Sequence, residues 1–288
     1  MKTNISLLIS GKLGFQVLLN LTDYCIIEFI ATDRNSTEII DFAKRKNIPL
    51  FIGNPRKEKL SSYISETKSN ILLSINYLFI IEDDVITKFK FPINFHGSLL
   101  PKYRGRTPHV WAIISNEIET GVTAHFIDNG CDTGDIILQE KIKISEYDTG
   151  FSILEKYADI YPKVVKEVIT LLQTGNIIRK RQDNSSATVY GKRTPDDGKI
   201  DWNWQKERIK NWVRAQSFPY PGAFTFYDKK KIIIDEVSFC EIGFNNELPN
   251  GTILQVKPTL VVKTSNGSIK IDLIRYNEVE FIQNKILT

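Results

Sequence analysis

The chain has 288 residues, with 38 Lys and Arg against 34 Asp and Glu for a net charge of +4, enough for one large domain, or a main domain with a smaller companion, and for a core that needs no covalent staples. That mild balance lacks the concentrated basic face of a nucleic-acid binder. The three cysteines, Cys25, Cys131 and Cys240, are odd in number and form no CxxC pair, which argues against a disulfide framework or a zinc site and for a reducing cytoplasm.

In chain order, "NISLLIS", "CIIEFIA", "PLFIG", "NILLSIN" and "PINFHG" are short apolar runs separated by amphipathic or polar stretches. This alternation predicts a βαβ series and a mostly parallel sheet. Asn35, with Glu38 three residues on, is the expected cap of a helix over 36–46. The opening turn carries Gly11 and Gly14 but lacks GxGxxG, so it reads as a tight strand-to-helix turn rather than a dinucleotide site. "TPHVWAIISNE" predicts a helix with Pro108 at its start, and "GVTAHFID" and "IILQEKIKI" predict strands. Apolar positions three or four apart between Phe151 and Leu172 predict a long helix containing Pro162, ended before Gly175. No signal peptide is read, and no run reaches the roughly 18 apolar residues of a membrane span.

After this helix, "RKRQDNSSATVYGKRTPDDGKIDW" is polar and turn-rich. It sets the expected boundaries: a main α/β domain over 1–185, a linker over 186–202 and a small β-rich, OB-like domain over 203–288. Trp202, Trp204 and Trp212 are expected to pack at the domain junction.

Two stretches carry candidate chemistry. In "INFHGSLLPKYRGRTP" (93–108), Asn94 and His96 end a strand on the same face, where open α/β sheets bind ligands. Gly97 and Ser98 follow in a turn that allows a backbone to approach a ligand. His96 reads equally as a hydrogen-bonded turn former. Lys102, Arg104 and Arg106 suit a phosphate or pyrophosphate, although a solvated basic loop looks the same. In "IDNGCDTGDII", Asp128, Asp132 and Asp135 fail the EF-hand pattern, and one DTG copy in an α/β context argues against an aspartic protease. Asp132 remains either a partner that orients His96 or a solvated acidic turn.

Together, "NFHGSLLPKYRG" and "ETGVTAHFIDNGCDTGDII" closely resemble the formyltransferase family that uses 10-formyltetrahydrofolate. "YGKRTPDDGKIDW" and "VRAQSFPYPGAFTFY" extend the resemblance to its members acting on nucleotide-linked amino sugars. The resemblance implies a Rossmann-like catalytic domain and a catalytic set of Asn94, His96 and Asp132. Asn94 would donate to the oxyanion, His96 would act as base or oxyanion partner, and Asp132 would hold His96. It also implies folate contacts at Phe79, Ile80, Ile81, Asp128 and Gly130, and acceptor contacts at Tyr77, Arg104, Arg106 and Arg193, without a metal. The tRNA-acting branch carries a basic insertion after the second strand, whereas here "IATDRNSTEIIDF" passes straight from strand to helix. The implied acceptor is therefore a nucleotide-linked, dTDP-type deoxyamino sugar for O-antigen or surface polysaccharide, with methionyl-tRNA as the alternative. The implied enzyme is a cytoplasmic homodimer that engages neither nucleic acid nor membrane.

Overall fold

The apolar runs of the first half become strands β1 (Thr3–Ile9), β2 (Cys25–Thr32), β3 (Leu50–Ile52), β4 (Ile71–Ile75) and β5 (Phe91–His96) in a computed structural model. It describes residues 2–64, 67–276 and 279–288. Helices α1 (Gly11–Leu21), α2 (Thr37–Arg45), α3 (Lys59–Tyr63) and α4 (Asp83–Ile86) connect these strands. They pair in parallel, in the order β3-β2-β1-β4-β5. Ile5, Leu7, Leu8 and Ile9 of β1 are fully buried, as expected for a central parallel strand covered on both faces. Ser36, not Asn35, precedes the first turn of α2. The Asn35 N–H donates to Asp33 Oδ1 at 2.8 Å, so Asp33 closes the turn that Asn35 was expected to cap.

The signature loop supplies a two-residue strand, β6 (Arg104–Gly105), and then helix α5 (Pro108–Ile114). Strand β7 (Glu119–Phe126) returns antiparallel to β5, and β8 (Ile136–Lys143) completes a seven-stranded sheet. Helix α6 (Gly150–Thr174) runs unbroken through Pro162 and ends at Gly175, whose φ is +73°.

The turn-rich stretch expected to be a linker is structured. A short 3₁₀ turn spans Asn184–Ser186, and β9 (Val189–Tyr190) pairs in parallel with β6. A second 3₁₀ turn, Pro195–Gly198, carries a capping box between Thr194 and Asp197. Its polar residues serve local hydrogen bonds rather than flexibility, which is why composition alone suggested a spacer.

The chain divides into two compact units: residues 1–105, 120–142 and 155–190 in one, and 106–119, 143–154 and 191–288 in the other. The second unit therefore recruits α5 and the start of α6, beyond the boundaries expected from composition. Helix α7 (Lys206–Gln216) packs on an antiparallel sheet of β10 (Ala223–Tyr227), β11 (Lys230–Cys240), β12 (Ile253–Gln255), β13 (Leu260–Thr264) and β14 (Gly267–Ile274). The order is β10-β11-β14-β13-β12. Trp202 and Trp212 are buried in this unit's own core with Ile209, Ile234, Ile253, Val262 and Ile269, and Trp204 packs against them. This places the tryptophans in the second unit's own core. Among the described residues no helix is long and apolar enough to cross a membrane, and no group of three His, Cys, Asp or Glu is placed to hold a metal ion.

Candidate active site

Asp132 is the node of the polar cluster in the first unit. Its loop leaves β7 and turns back, with the Phe126 N–H donating to Asp135 O at 2.9 Å. This return requires glycine at 134, because a Cβ there would stand 1.9 Å from Phe126 O. Asp132 itself takes φ +56°, a left-handed conformation held by the surrounding bonds and of the kind that clusters at functional sites.

Four nitrogen groups, beside the Cys131 thiol at 3.6 Å, converge on its carboxylate, which is only 12% exposed. The Gly105 N–H donates to Oδ2 at 2.9 Å, and the Asn94 amide donates to Oδ1 at 3.2 Å. His96 Nδ1 lies 3.4 Å from Oδ2, and His125 Nε2 lies 3.5 Å from Oδ1. Burial pushes the Asp132 carboxyl up, but the His96 charge, the hydrogen bond and charge of His125, and the Gly105 N–H outweigh it. The carboxyl is held well below the usual carboxylate range and is ionised at neutral pH.

Each imidazole is oriented by a backbone carbonyl oxygen. His96 Nε2 donates to Tyr103 O at 2.7 Å, which turns Nδ1 toward the Asp132 carboxylate. His125 Nδ1 donates to Phe126 O at 2.8 Å, which turns Nε2 toward the Asn94 amide nitrogen at 3.1 Å and Asp132 Oδ1 at 3.5 Å. Asn94 and His125 are directly opposite each other across the antiparallel β5–β7 pair. The Asn94 amide nitrogen thus lies between His125 Nε2 and Asp132 Oδ1. Asn94 Oδ1 is the atom left open.

Arg104 departs from expectation. Its guanidinium is buried, the residue being 5% exposed, and donates to Gln182 Oε1 at 2.6 Å and Asn184 Oδ1 at 2.8 Å. Gln182 in turn donates to the backbone oxygens of Asp132 and Gly134, at 2.9 and 2.7 Å. The basic side chain read as a phosphate ligand is a brace beneath the Asp132 loop. Gly97 and Ser98 likewise face inward. The Tyr157 hydroxyl donates to Gly97 O, and Ser98 donates to Lys102 O.

Arg193 lies in the second unit between the rings of Trp111 and Trp212, at 5.0 and 4.5 Å. It donates to Asp197 O and to Gln216 Oε1, both at 3.0 Å. These contacts commit its guanidinium to packing rather than to an acceptor. Arg106 is exposed.

The expected folate residues follow β4. Phe79, Ile80 and Ile81 make no backbone hydrogen bond to described residues, and Ile80 is 63% exposed. The Tyr77 ring packs edge-on against Phe79 at 5.4 Å. Its hydroxyl is buried without a hydrogen-bond partner among the described residues and is kept protonated by burial and the charge of Asp33. Open backbone groups beside an exposed apolar side chain fit the flat, hydrogen-bonding edge of a pterin. Asp128 and Gly130 are exposed, with Asp128 Oδ1 accepting from the Gly130 N–H at 3.1 Å and from Thr133 at 2.5 Å.

A family profile described as Formyl transferase matches residues 29–169, and one described as Formyl transferase, C-terminal domain, matches residues 192–283. A methionyl-tRNA formyltransferase from Caldanaerobacter subterraneus is 36% identical over 209 residues, 72% of this chain and 67% of that protein. The chain belongs to the formyltransferase family. As a formyltransferase it is also 34% identical over 284 residues to the bifunctional polymyxin resistance protein ArnA of Wigglesworthia glossinidia brevipalpis. That match covers 95% of this chain but spans only 41% of the ArnA protein. The N-formyltransferase from Helicobacter canadensis, solved with folinic acid and dTDP-3-aminofucose, superposes with a TM-score of 0.74 at 21% identity. This superposition covers 94% of this chain and 99% of that one, which establishes a shared fold.

Proposed function

We propose that the protein transfers the formyl group of 10-formyltetrahydrofolate to the amine of a nucleotide-linked, dTDP-type deoxyamino sugar. The observation that carries the transfer chemistry is the convergence of Asn94, His96 and Gly105 on an ionised, mostly buried Asp132.

The donor supplies a carbonyl carbon activated by its bond to a nitrogen leaving group. Asn94 Oδ1 accepts a hydrogen of the incoming amine and aims its lone pair. His96 Nδ1 takes the proton the amine gives up, and the Asp132 carboxylate stabilises the imidazolium that forms. The protonated ring then offers the one mobile N–H of the cluster, either to the developing oxyanion or to the leaving nitrogen. The open backbone of Phe79, Ile80 and Ile81 would hold the pterin, with the Asp128–Gly130 turn across from it.

The sugar acceptor is favoured over tRNA by the tight connection from β2 to α2. Asp33 accepts from the Asn35 N–H and the Ser36 hydroxyl, and Ser36 accepts from the Gly11 N–H. The segment is a closed turn, with no arm to neutralise tRNA phosphates. The reducing compartment this reading assumes agrees with three free cysteines. Incubation with 10-formyltetrahydrofolate and a panel of dTDP-, UDP- and GDP-amino sugars should yield a sugar heavier by one formyl group. Formylation of methionyl-tRNA with no sugar modified would overturn the assignment.

A further inference from the structure

The carbonyl oxygen that orients His96 belongs to a strained residue. Tyr103 takes φ +61°, a left-handed conformation that is unfavourable for a bulky side chain and persists only where its surroundings enforce it. The two residues after it serve the same site. Arg104 braces the Asp132 loop through Gln182, and the Gly105 N–H donates to Asp132 Oδ2 at 2.9 Å. Three consecutive residues thus offer a carbonyl to the imidazole, a guanidinium beneath the loop and an N–H to the carboxylate. Each contact depends on the path of the backbone at 103–105.

Strand β9 and the residue before it hold that path. The Tyr103 N–H donates to Thr188 Oγ1 at 2.8 Å, the Arg104 N–H donates to Thr188 O at 2.9 Å, and Gly105 pairs with Tyr190. The Tyr190 ring lies on the Tyr103 ring, with centroids 5.4 Å apart and planes 13° from parallel. Tyr103 is buried and Tyr190 half-buried. A stacked aromatic pair and the strain of one left-handed residue are of similar size, so the stack is large enough to decide which conformation Tyr103 adopts. All of these residues belong to the first unit. We infer that Tyr190 is a positioning residue for formyl transfer, holding the His96 imidazole against Asp132 through the ring and carbonyl of Tyr103. The inference rests on the role proposed for His96 above. When that imidazole takes up a proton, its bond to the Tyr103 oxygen becomes charge-assisted and strengthens, so the clamp is tightest at the step that uses it.

The chain has three histidines, so NMR of the full chain with nitrogen-labelled imidazoles reads the clamp independently of activity. Tyr190→Leu keeps an apolar side chain but removes the flat ring, and Thr188→Val removes the Oγ1 acceptor at an exposed position. In both variants the His96 Nε2–H resonance should broaden through exchange with water. The resonance of His109, which lies in the second unit, should stay in place and, with thermal unfolding, report that the chain is folded. Both variants should also lower kcat about tenfold or more, with the KM of either substrate within about twofold of wild type. Tyr190→Phe, which keeps the ring, should restore the resonance and the rate. A sharp, unshifted His96 resonance in either folded variant would overturn the clamp. A raised KM for the nucleotide sugar with kcat intact would also overturn it, by making Tyr190 a surface for the acceptor. A wild-type protein that shows the clamp by NMR but formylates no acceptor would overturn the function proposed above and leave the contact standing.

Discussion

Lowering the pH should weaken the second unit through one side chain, His109. It sits in the first turn of α5, buried, with Nε2 2.9 Å from the Tyr220 hydroxyl. Burial disfavours its imidazolium and pushes its pKa down to about 4, whereas an unfolded histidine titrates near about 6.5. Between these values the unfolded chain binds a proton that the folded chain refuses. Stability is therefore complete above pH ~6.5 and is lost as the pH falls toward the folded value. At pH 5 the linkage amounts to about 2 kcal/mol. The four tryptophans, Trp111, Trp202, Trp204 and Trp212, all lie in the second unit, so their fluorescence during urea unfolding reads that unit alone. Wild type should lose about 2 kcal/mol more than His109→Gln between pH 8 and pH 5. The cost of the substitution itself cancels in this comparison, as do titrations common to both proteins. Equal losses in the two proteins would refute the buried neutral histidine.

Three further substitutions test the site. Gly105→Ala places a Cβ 2.3 Å from Tyr190 O at a residue with φ +96°, so the N–H that holds Asp132 must move. Turnover should fall on the order of 100-fold, and an unchanged kcat would show that this anchor is dispensable. Arg104→Met should lower kcat about tenfold with little change in the KM of the nucleotide sugar; a raised KM with kcat intact would instead restore the residue as a pyrophosphate ligand. Asn94→Ala and His96→Ala should each reduce kcat by about 100-fold or more, measured by single-turnover formyl transfer, and near-normal rates in either would refute its assigned role.

The strands of the first unit were legible because each is a short apolar run bounded by turn residues, and α6 because its apolar positions recur over many turns. Helices α3 and α4 were not. They span only Lys59–Tyr63 and Asp83–Ile86, too short for a periodic pattern to emerge. Within the site, Asn94, His96 and Asp132 stood out as polar residues at a strand end and in a Gly-rich loop. His125 was hidden in "GVTAHFID", read only as a strand. Its importance depends on the antiparallel register that sets it opposite Asn94, and no local pattern encodes that register. The signal available was a polar ring inside an otherwise buried strand. Gln182 offered none. Arg104 and Arg193 illustrate the converse error: a guanidinium in a basic stretch looks like an anion ligand until its partners, carbonyl oxygens and indole faces, are brought in from distant positions.

The brace from Arg104 through Gln182 to the Asp132 loop bears on how the protein can be dissected. The sheet and its helices are complete by Thr174, so a fragment ending there would seem a sufficient catalytic piece. It would lack Gln182, Asn184, Thr188 and the β9 strand, which together hold Arg104, Tyr103 and the backbone under the acid. Fragments and chimeras meant to retain chemistry therefore need the chain through Tyr190, with any new junction placed after it. A generic flexible tether in place of 180–190 would leave the sheet intact and the carboxylate unsupported.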